Sequence, residues 1–212
     1  MKKVLILISS LFTLTSFAQQ TSIGITVGSG SGWMSNSGQD VAYKQSCNVG
    51  ATLIYSSASH WGFGADIKYS REGYKYNFHN ILYGNKQMDT RVSSDFIRVP
   101  LRAIYFFNDN SHKVRPNISL GPSFGFLTGG KIRVEDDDKN LYSKTPVKDQ
   151  YKSFDFGVQG SVGVSFKLAE ALWLSTDVAY YQGLLKQNKN GDNNMMNSNL
   201  VLNVGLLVGI SK

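Results

Sequence analysis

The sequence has little cysteine and proline, and it lacks long apolar runs beyond its first residues. Of its 212 residues, one is Cys and four are Pro. The single thiol, Cys47, excludes an intramolecular disulfide, so other interactions must stabilise the fold. After residue 18 no uninterrupted apolar stretch approaches the roughly twenty residues that a membrane-spanning helix needs. Disulfide-stapled domains and helical membrane proteins are therefore both excluded.

A concentrated block of positive charge is also lacking. The chain carries 22 Lys and Arg against 15 Asp and Glu, a formal net charge of +7, and the excess is spread along the sequence. Nucleic-acid-binding tails are usually runs of like charge. We therefore expect no nucleic-acid partner.

The first eighteen residues have the pattern of a cleavable secretion signal. Lys2 and Lys3 precede an apolar stretch from Val4 to Leu14, and a small residue at Ser16 and Ala18 flanks Phe17. The stretch is too short to span a membrane and no stop-transfer pattern follows it. The sequence predicts a signal peptide over residues 1–18 and one exported domain over residues 19–212.

The exported part is dominated by period-two alternation. In the last segment, Leu200, Leu202, Val204, Leu206, Val208 and Ile210 share one face, while small and polar residues share the other. Such a strand has one face suited to lipid and one suited to a polar interior. The pattern predicts an all-β fold, an eight-stranded antiparallel up-and-down transmembrane β-barrel, with strands at about 22–32, 47–56, 61–75, 93–107, 114–128, 153–168, 172–184 and 198–210.

The connections alternate strictly in length. Those at residues 57–60, 108–113 and 169–171 are short, and those at 33–46, 76–92, 129–152 and 185–197 are long. Bacterial barrels have short periplasmic turns and long external loops, so both termini are expected in the periplasm. Because Pro100 and Pro122 fall inside strands and lack a ladder donor, we expect β-bulges there.

Charged residues collect on the parity that faces inward. This set contains four cations and three anions: Asp66, Lys68, Arg98, Arg102, Asp155, Lys167 and Asp177. Buried charges are tolerated when they are paired, and eight strands enclose only enough space for side chains. We therefore expect a charge network that plugs the lumen, with a conducting pore as the alternative.

Aromatic residues continue the third strand past its expected membrane boundary. Tyr74, Tyr76 and Phe78 keep the alternation, and Tyr83 follows in the loop. Two interpretations stay open. The aromatic side chains either form an exposed ribbon that recognises a partner or glycan, or they pack among the loops.

Catalytic chemistry lacks a convincing set of residues. The three histidines are His60, His79 and His112, and the first and last lie in the short turns, away from the outer leaflet. His79 has no serine two residues on, as a deacylase-like pair would require. The acidic run at 135–138 lacks the glycine and glutamate of a calcium loop. We expect no enzyme, no cofactor and no metal.

Three segments carry a family resemblance. They are Asp95-Phe96-Ile97-Arg98-Val99-Pro100-Leu101-Arg102, Leu120-Gly121-Pro122-Ser123-Phe124-Gly125 and Phe154-Asp155-Phe156-Gly157-Val158. In this order, with the signal peptide, they resemble the outer-membrane protein β-barrel domain family, also called PorT-like, over nearly all of the exported chain. The resemblance implies an eight-stranded outer-membrane barrel. Some PorT-like proteins serve secretion and gliding machinery, but no residue here transfers that role.

These observations predict a monomeric or weakly associating, non-catalytic outer-membrane barrel that acts through its external loops as a structural, adhesive or secretion-accessory component. Its expected partners are outer-membrane lipid and lipopolysaccharide, and a protein of the cell envelope or secretion machinery. A narrow conduit for small solutes is the second hypothesis and an outer-leaflet lipid-modifying enzyme the third. A soluble periplasmic barrel is the fourth.

Overall fold

The computed structural model describes residues 20–35, 41–57, 60–80, 86–136, 140–189 and 194–210. Residues 1–19 lie outside this part, so the signal peptide remains a prediction. Nine strands and one short helix are present in it: β1 Gln20–Ser35, β2 Val41–Ser56, β3 Trp61–Asn80, β4 Lys86–Phe106, β5 Val114–Asp136, β6 Leu141–Pro146, α1 Val147–Gln150, β7 Phe154–Lys167, β8 Leu172–Gly183 and β9 Met196–Gly209.

Eight of the strands close into a barrel. Each strand pairs antiparallel with its neighbours, in the order β4-β3-β2-β1-β9-β8-β7-β5, and β4 pairs with β5 to complete the ring. The first and last strands are adjacent, with Ser22 opposite Gly209. The predicted eight-stranded barrel is therefore confirmed. The additional strand, β6, was not predicted; among the described residues it pairs with the far end of β5 and with no other strand.

The two faces of the sheet differ as the alternation predicts. Outward side chains are apolar and exposed, with Ile25, Ile67 and Val162 at 63–67% of their full accessible surface. Inward side chains on the same strands are polar and buried, among them Thr26, Asp66 and Ser161. An apolar exterior around a polar interior is the arrangement of a barrel that sits in lipid.

Most of the predicted long loops are strand extensions. The pairing of β3 and β4 continues to Asn80 opposite Lys86, and β5 reaches Asp136 before β6 returns beside it. At the other end, β2 and β3 are separated by four residues. The barrel therefore has one end of tight turns and one end of tall hairpins. Among the described residues, no helix has the length and apolar character needed to cross a membrane.

The expected bulges at Pro100 and Pro122 are not present. The register of β4 with β5 is the same at Pro100–Ser123 and at Ala103–Leu120, and Pro122 pairs with Val158 of β7. Each proline lacks a donor toward only one neighbour, so the ladder opens locally and resumes in register. The described register shifts in the barrel lie higher, between Tyr43 and Cys47 and between Asp95 and Phe96.

A small apolar core fills the hairpin end of the molecule. It contains Met34, Tyr74, Val92, Phe96, Leu127, Ile132, Val147 and Tyr151. Helix α1 contributes Val147, which is fully buried, and Tyr151 follows the helix. We call these eight residues the external cap because they lie at the hairpin end of the ring of eight strands and cover one mouth of the barrel between the hairpins.

Candidate functional site: the lumen and its external cap

Asp66 organises the first of two charge clusters in the lumen. Its carboxylate, almost completely buried, forms ion pairs with Lys68 at 3.2 Å and Arg102 at 2.8 Å. Thr52 on β2 also donates a hydrogen bond to it at 2.6 Å. Residues 66 and 68 share a face because they are two apart on β3, and Arg102 reaches them from β4. Two cations and a hydroxyl thus stabilise one buried anion.

Arg98 organises the second cluster, closer to the external cap. The guanidinium donates to Glu72 through Nε at 2.8 Å and through Nη2 at 2.6 Å. It also lies 2.9 Å from an oxygen of Asp155. The rings of Phe96 and Tyr181 lie against the guanidinium, at 4.6 and 4.1 Å from their centroids. This geometry uses the planar fork of arginine in a way that lysine cannot reproduce.

Asp155 is held by amides as well as by Arg98. Gln187 donates to one carboxylate oxygen at 2.8 Å, and Asn197 donates to the other at 2.9 Å. Gln187 follows β8 and is fully buried, so a residue from a predicted loop enters the top of the barrel. These bonds join β4, β7, β9 and the segment after β8 into one polar assembly beneath the external cap.

The seven predicted lumen charges do not form a single network. Asp66, Lys68 and Arg102 meet in one cluster, and Arg98 meets Asp155 in the other. Asp177 accepts a hydrogen bond from Asn203 at 2.9 Å, and among the described residues no cation lies within ion-pair distance of it, although Lys68 and Arg102 line the same small cavity. Lys167 ends β7, with its ammonium 5.9 Å from the ring of Trp173.

Glu72 and Arg115 were not among the predicted lumen residues. Both have the inward parity on correctly predicted strands, so the alternation of the strands could have identified them. Arg115 donates to Ser56 Oγ at 3.1 Å and stacks 3.8 Å above Phe106, at the short-turn end. Gln187 was also missed, and its position in a predicted loop gave no signal.

The lumen contains little free space. The cavities beside Arg98 and beside Asp66 have volumes of about 30 and 20 Å³, and the one beside Arg115 is about 30 Å³. A cavity needs roughly 10–15 Å³ of such space to hold one water. Within the part of the chain that is described, side chains therefore divide the interior into water-sized cavities.

Tyr74 belongs to the external cap and is only 2% exposed. Its hydroxyl is hydrogen-bonded to that of Tyr151, and burial raises the pKa of both phenols. Tyr76 stacks on Tyr74 with ring centroids 6.0 Å apart. For these two residues the geometry is that of packing among the hairpins. The side chain of Phe78 and the whole of Tyr83 lie outside the described part.

The histidines at the short-turn end stabilise turns. His60 Nδ1 is 2.7 Å from the carbonyl of Phe106. In the turn after β4, Asp109 accepts bonds from Ser111 Oγ at 2.6 Å and from His112 Nδ1 at 2.9 Å, and these bonds lower the pKa of Asp109. Ser111 Oγ also lies 3.5 Å from His112 Nδ1, but that nitrogen donates to the carboxylate and is therefore not available as a base for the serine. Among the described residues, no group of three or more His, Cys, Asp or Glu could hold a metal.

A closed barrel of eight antiparallel strands, apolar outside and polar within, defines an integral outer-membrane β-barrel protein. The chain belongs to the outer membrane protein beta-barrel domain family, whose model matches residues 17–188. The match ends before β9, which completes the barrel in the structure. The protein is therefore placed in the bacterial outer membrane, while the narrower PorT-like resemblance remains a prediction.

Similar solved structures share little sequence identity with this chain, and one of them, with a TM-score above 0.5, has the same fold. The outer membrane protein OprG from Pseudomonas aeruginosa is 14% identical with a TM-score of 0.53, and the alignment covers 92% of this chain and 96% of OprG. Neisserial surface protein A, NspA, is 16% identical with a TM-score of 0.47, over 88% of this chain and 96% of NspA. No curated protein is significantly similar to this chain in sequence.

Proposed function

We propose that this protein is a non-catalytic outer-membrane barrel that acts through its external hairpins as a structural, adhesive or secretion-accessory component. The observation that carries the proposal is the contrast between a lumen divided into water-sized cavities and hairpins that extend well beyond the barrel. A filled lumen favours action at the surface over transport through the barrel.

The proposal includes an orientation with both termini in the periplasm. It is supported by the difference between the two ends, since short turns face the periplasm and long connections face outward in bacterial barrels. An epitope tag inserted at Asn140 should be labelled on intact cells. A tag at Asn110 should be labelled only after the outer membrane is opened, and labelling of this tag on intact cells would reverse the orientation.

Conductance measurements distinguish a protein that acts at the surface from one that transports solutes through the barrel. Purified protein in planar lipid bilayers should give no steady current, because the Arg98 and Asp66 clusters and the external cap obstruct the lumen. A reproducible open channel in the wild-type protein would favour the narrow solute conduit. The same result from Arg98→Ala alone would show that the second cluster is what closes a barrel that is otherwise wide enough.

The proposed partners follow from the surface location. They are outer-membrane lipid and lipopolysaccharide around the barrel, and a cell-envelope or secretion-machinery protein at the hairpins, with the barrel itself a monomer. Chemical crosslinking in intact outer membranes, followed by affinity capture, tests the protein partner. Recovery of the same protein by the wild type but not by a variant with a shortened β3–β4 hairpin would support it.

A further inference from the structure

The outward face of the hairpins carries a concentration of positive charge. Just beyond the barrel, strands β2–β5 form a concave surface that encloses an open cavity of about 690 Å³. Its lining includes Lys44, Arg71, Lys75, Arg91, Lys131 and Arg133. We call these six residues the basic surface. Asp95 is the one carboxylate among its lining residues.

Cross-strand pairing brings cations directly opposite one another. Lys75 of β3 lies opposite Arg91 of β4, Arg91 lies opposite Arg133 of β5, and Arg133 lies opposite Lys144 of β6. Like charges directly opposite in a sheet are destabilising. Repulsion within this row of four cations on four strands destabilises the hairpins, and a bound anion would remove that repulsion.

Carboxylates in the structure neutralise only part of this charge. Arg71 pairs with Asp95 at 2.7 Å, and Arg91 lies 3.5 Å from Glu135 and 3.9 Å from Asp89. For Lys75, Lys131 and Arg133, no carboxylate among the described residues lies within ion-pair distance. Lys44 donates to the carbonyl of Val92 at 2.8 Å and to Ser93 Oγ. Its burial, followed by the charges of Arg71 and Lys75, lowers its pKa to about 8.

The concave shape depends on two special backbone positions. Gly73 and Gly130 have φ angles of +154° and +129°. Gly130 lines the surface, and Gly73 lies between Arg71 and Lys75 on β3. A Cβ on Gly73 would meet the carbonyl oxygen of Val92 at 2.0 Å, and one on Gly130 would meet that of Ser93 at 2.1 Å. Only glycine permits this backbone conformation and this close strand approach. The shape and the charge therefore coincide on the same four strands.

The basic surface lies above the aromatic edge of the apolar band. On the outward face, Tyr69, Ile97, Phe126 and Phe154 form one cross-strand row, and Arg71 and Asp95 begin the next row above it. Tyrosine and phenylalanine rows mark the edge of the apolar band in such barrels. Successive rows on one face rise by roughly 5 Å, so the four-cation row lies about 15 Å above the aromatic row. This is the level of headgroups and their attached sugars.

We propose that the basic surface binds the phosphate groups of a phosphorylated glycolipid of the outer leaflet. Arginine and lysine are the residues that recognise phosphate, and basic recesses at the membrane boundary bind anionic headgroups. The surface faces away from the lumen and continues the lipid-facing side of the barrel, so a membrane ligand reaches it laterally. The inference rests on the proposed orientation, because it places the hairpins at the outer leaflet.

Lipid nanodiscs test the binding directly. The barrel is reconstituted in phosphatidylcholine nanodiscs that contain a small fraction of bisphosphorylated lipid A or of the same lipid A without phosphates, and retained lipid A is counted by native mass spectrometry. Lipid A in both leaflets makes the result independent of orientation, which the tag at Asn140 measures separately. We expect preferential retention of the phosphorylated form. Equal retention of the two forms would overturn the proposal.

Matched triple variants locate the site. Each cation near an anionic surface is worth about a fivefold change in affinity, so replacing Lys75, Lys131 and Arg133 with Gln should weaken lipid A retention by about 100-fold. The control replaces Lys148, Lys152 and Lys189, exposed lysines of the hairpin end that do not line the basic surface. The control should bind like the wild type. Equal losses in the two triple variants would contradict the assignment.

Cys47 provides a reporter that needs no engineering. It is the single cysteine of the chain, it is exposed, and it lies opposite Arg71 at the basic surface. Phosphorylated lipid A should slow its reaction with a charged maleimide more than dephosphorylated lipid A does. If instead a soluble sulfated oligosaccharide protects Cys47 and phosphorylated lipid A does not, the surface binds a soluble polyanion and the lipid proposal fails. Lys131→Gln alone serves if the triple variant does not fold.

Discussion

Strands β3 and β4 carry charge on both faces, and the two faces treat it differently. Inside the barrel, Arg98 lies between Glu72 and Asp155 with distances below 3 Å. Outside, a few residues further along, Lys75 and Arg91 lie opposite each other. A buried charge without a partner would be very costly, whereas solvent screens an exposed one. Buried charges in the interior are therefore paired with opposite charges, whereas exposed charges on the exterior can stay unpaired and are available to a ligand.

The largest expected effect tests the interior half of this comparison. Arg98→Ala leaves Glu72 and Asp155 buried without their cation and should lower the free energy of unfolding by about 3–5 kcal/mol. Urea unfolding in lipid vesicles, followed by tryptophan fluorescence, measures it. Arg71→Ala is the control, because it breaks an exposed ion pair with Asp95 on the same two strands. That loss should be about 0–1 kcal/mol. Equal effects would show that burial does not govern the two pairs.

A smaller effect tests the apolar outer face. Val162 is 67% exposed on β7, so Val162→Arg places a charge against lipid and should cost about 2–4 kcal/mol near the bilayer midplane. Leu168→Arg is the control, since Leu168 is exposed on the same side at the short-turn end, where the cost falls to about 0–1 kcal/mol. The folded fraction after refolding into vesicles measures both. If the two variants fold equally well, Val162 does not face the membrane interior.

The exterior half of the comparison predicts a change of opposite sign. Arg133→Gln removes one member of the row of cations and should raise the free energy of unfolding by about 0.2–1 kcal/mol at low salt in the absence of lipid A. The gain should shrink in high salt, because salt screens the repulsion. Arg115→Gln, in the lumen, should instead destabilise the protein by removing the bonds to Ser56. A destabilised Arg133→Gln variant at low salt would indicate an attractive partner for Arg133.

The barrel could be predicted from the sequence because lipid imposes a strict rule on every spanning strand. Alternation at Leu200–Ile210 or at Trp61–Tyr69 follows from an apolar exterior and a polar interior, and the structure confirms these strands. The hairpin end was less predictable. Above the membrane the alternation no longer reports lipid exposure, so β6 was missed and Tyr74 could be assigned to a surface or to a core with equal reason.

The lumen residues show a second limit. Parity places Asp66, Arg98 and Asp155 inside, but which residues pair depends on strand register, and the sequence does not give it. Register brings Glu72 to Arg98, and it places Asn203 rather than a cation within hydrogen-bond distance of Asp177. The basic surface was harder still to predict from the sequence. Its residues come from four strands and are concentrated only by cross-strand pairing and by two glycines of positive φ.

The basic surface also predicts a pH dependence of the stability. The pKa of Lys44 falls from its ordinary value of 10.5 to about 8, through burial first and then through Arg71, Lys75 and Arg133, with Asp95 acting in the opposite direction. Between pH 8 and 10.5 the unfolded chain therefore binds more protons at Lys44 than the folded protein does. Stability must rise with pH across this window, because the free energy of unfolding increases with pH wherever the unfolded state binds more protons than the folded state.

Comparing wild type with Lys44→Gln isolates this contribution from other groups that titrate in the same range. The wild-type free energy of unfolding, measured in urea at pH 7.5 and pH 9.5, should increase relative to that of the variant. Bound phosphorylated lipid A should reduce the increase, because its negative charge restores the proton to Lys44 in the folded state. An unchanged difference between the two proteins across the window would mean that Lys44 keeps its ordinary pKa, and that its ammonium is less buried in solution than the structure places it.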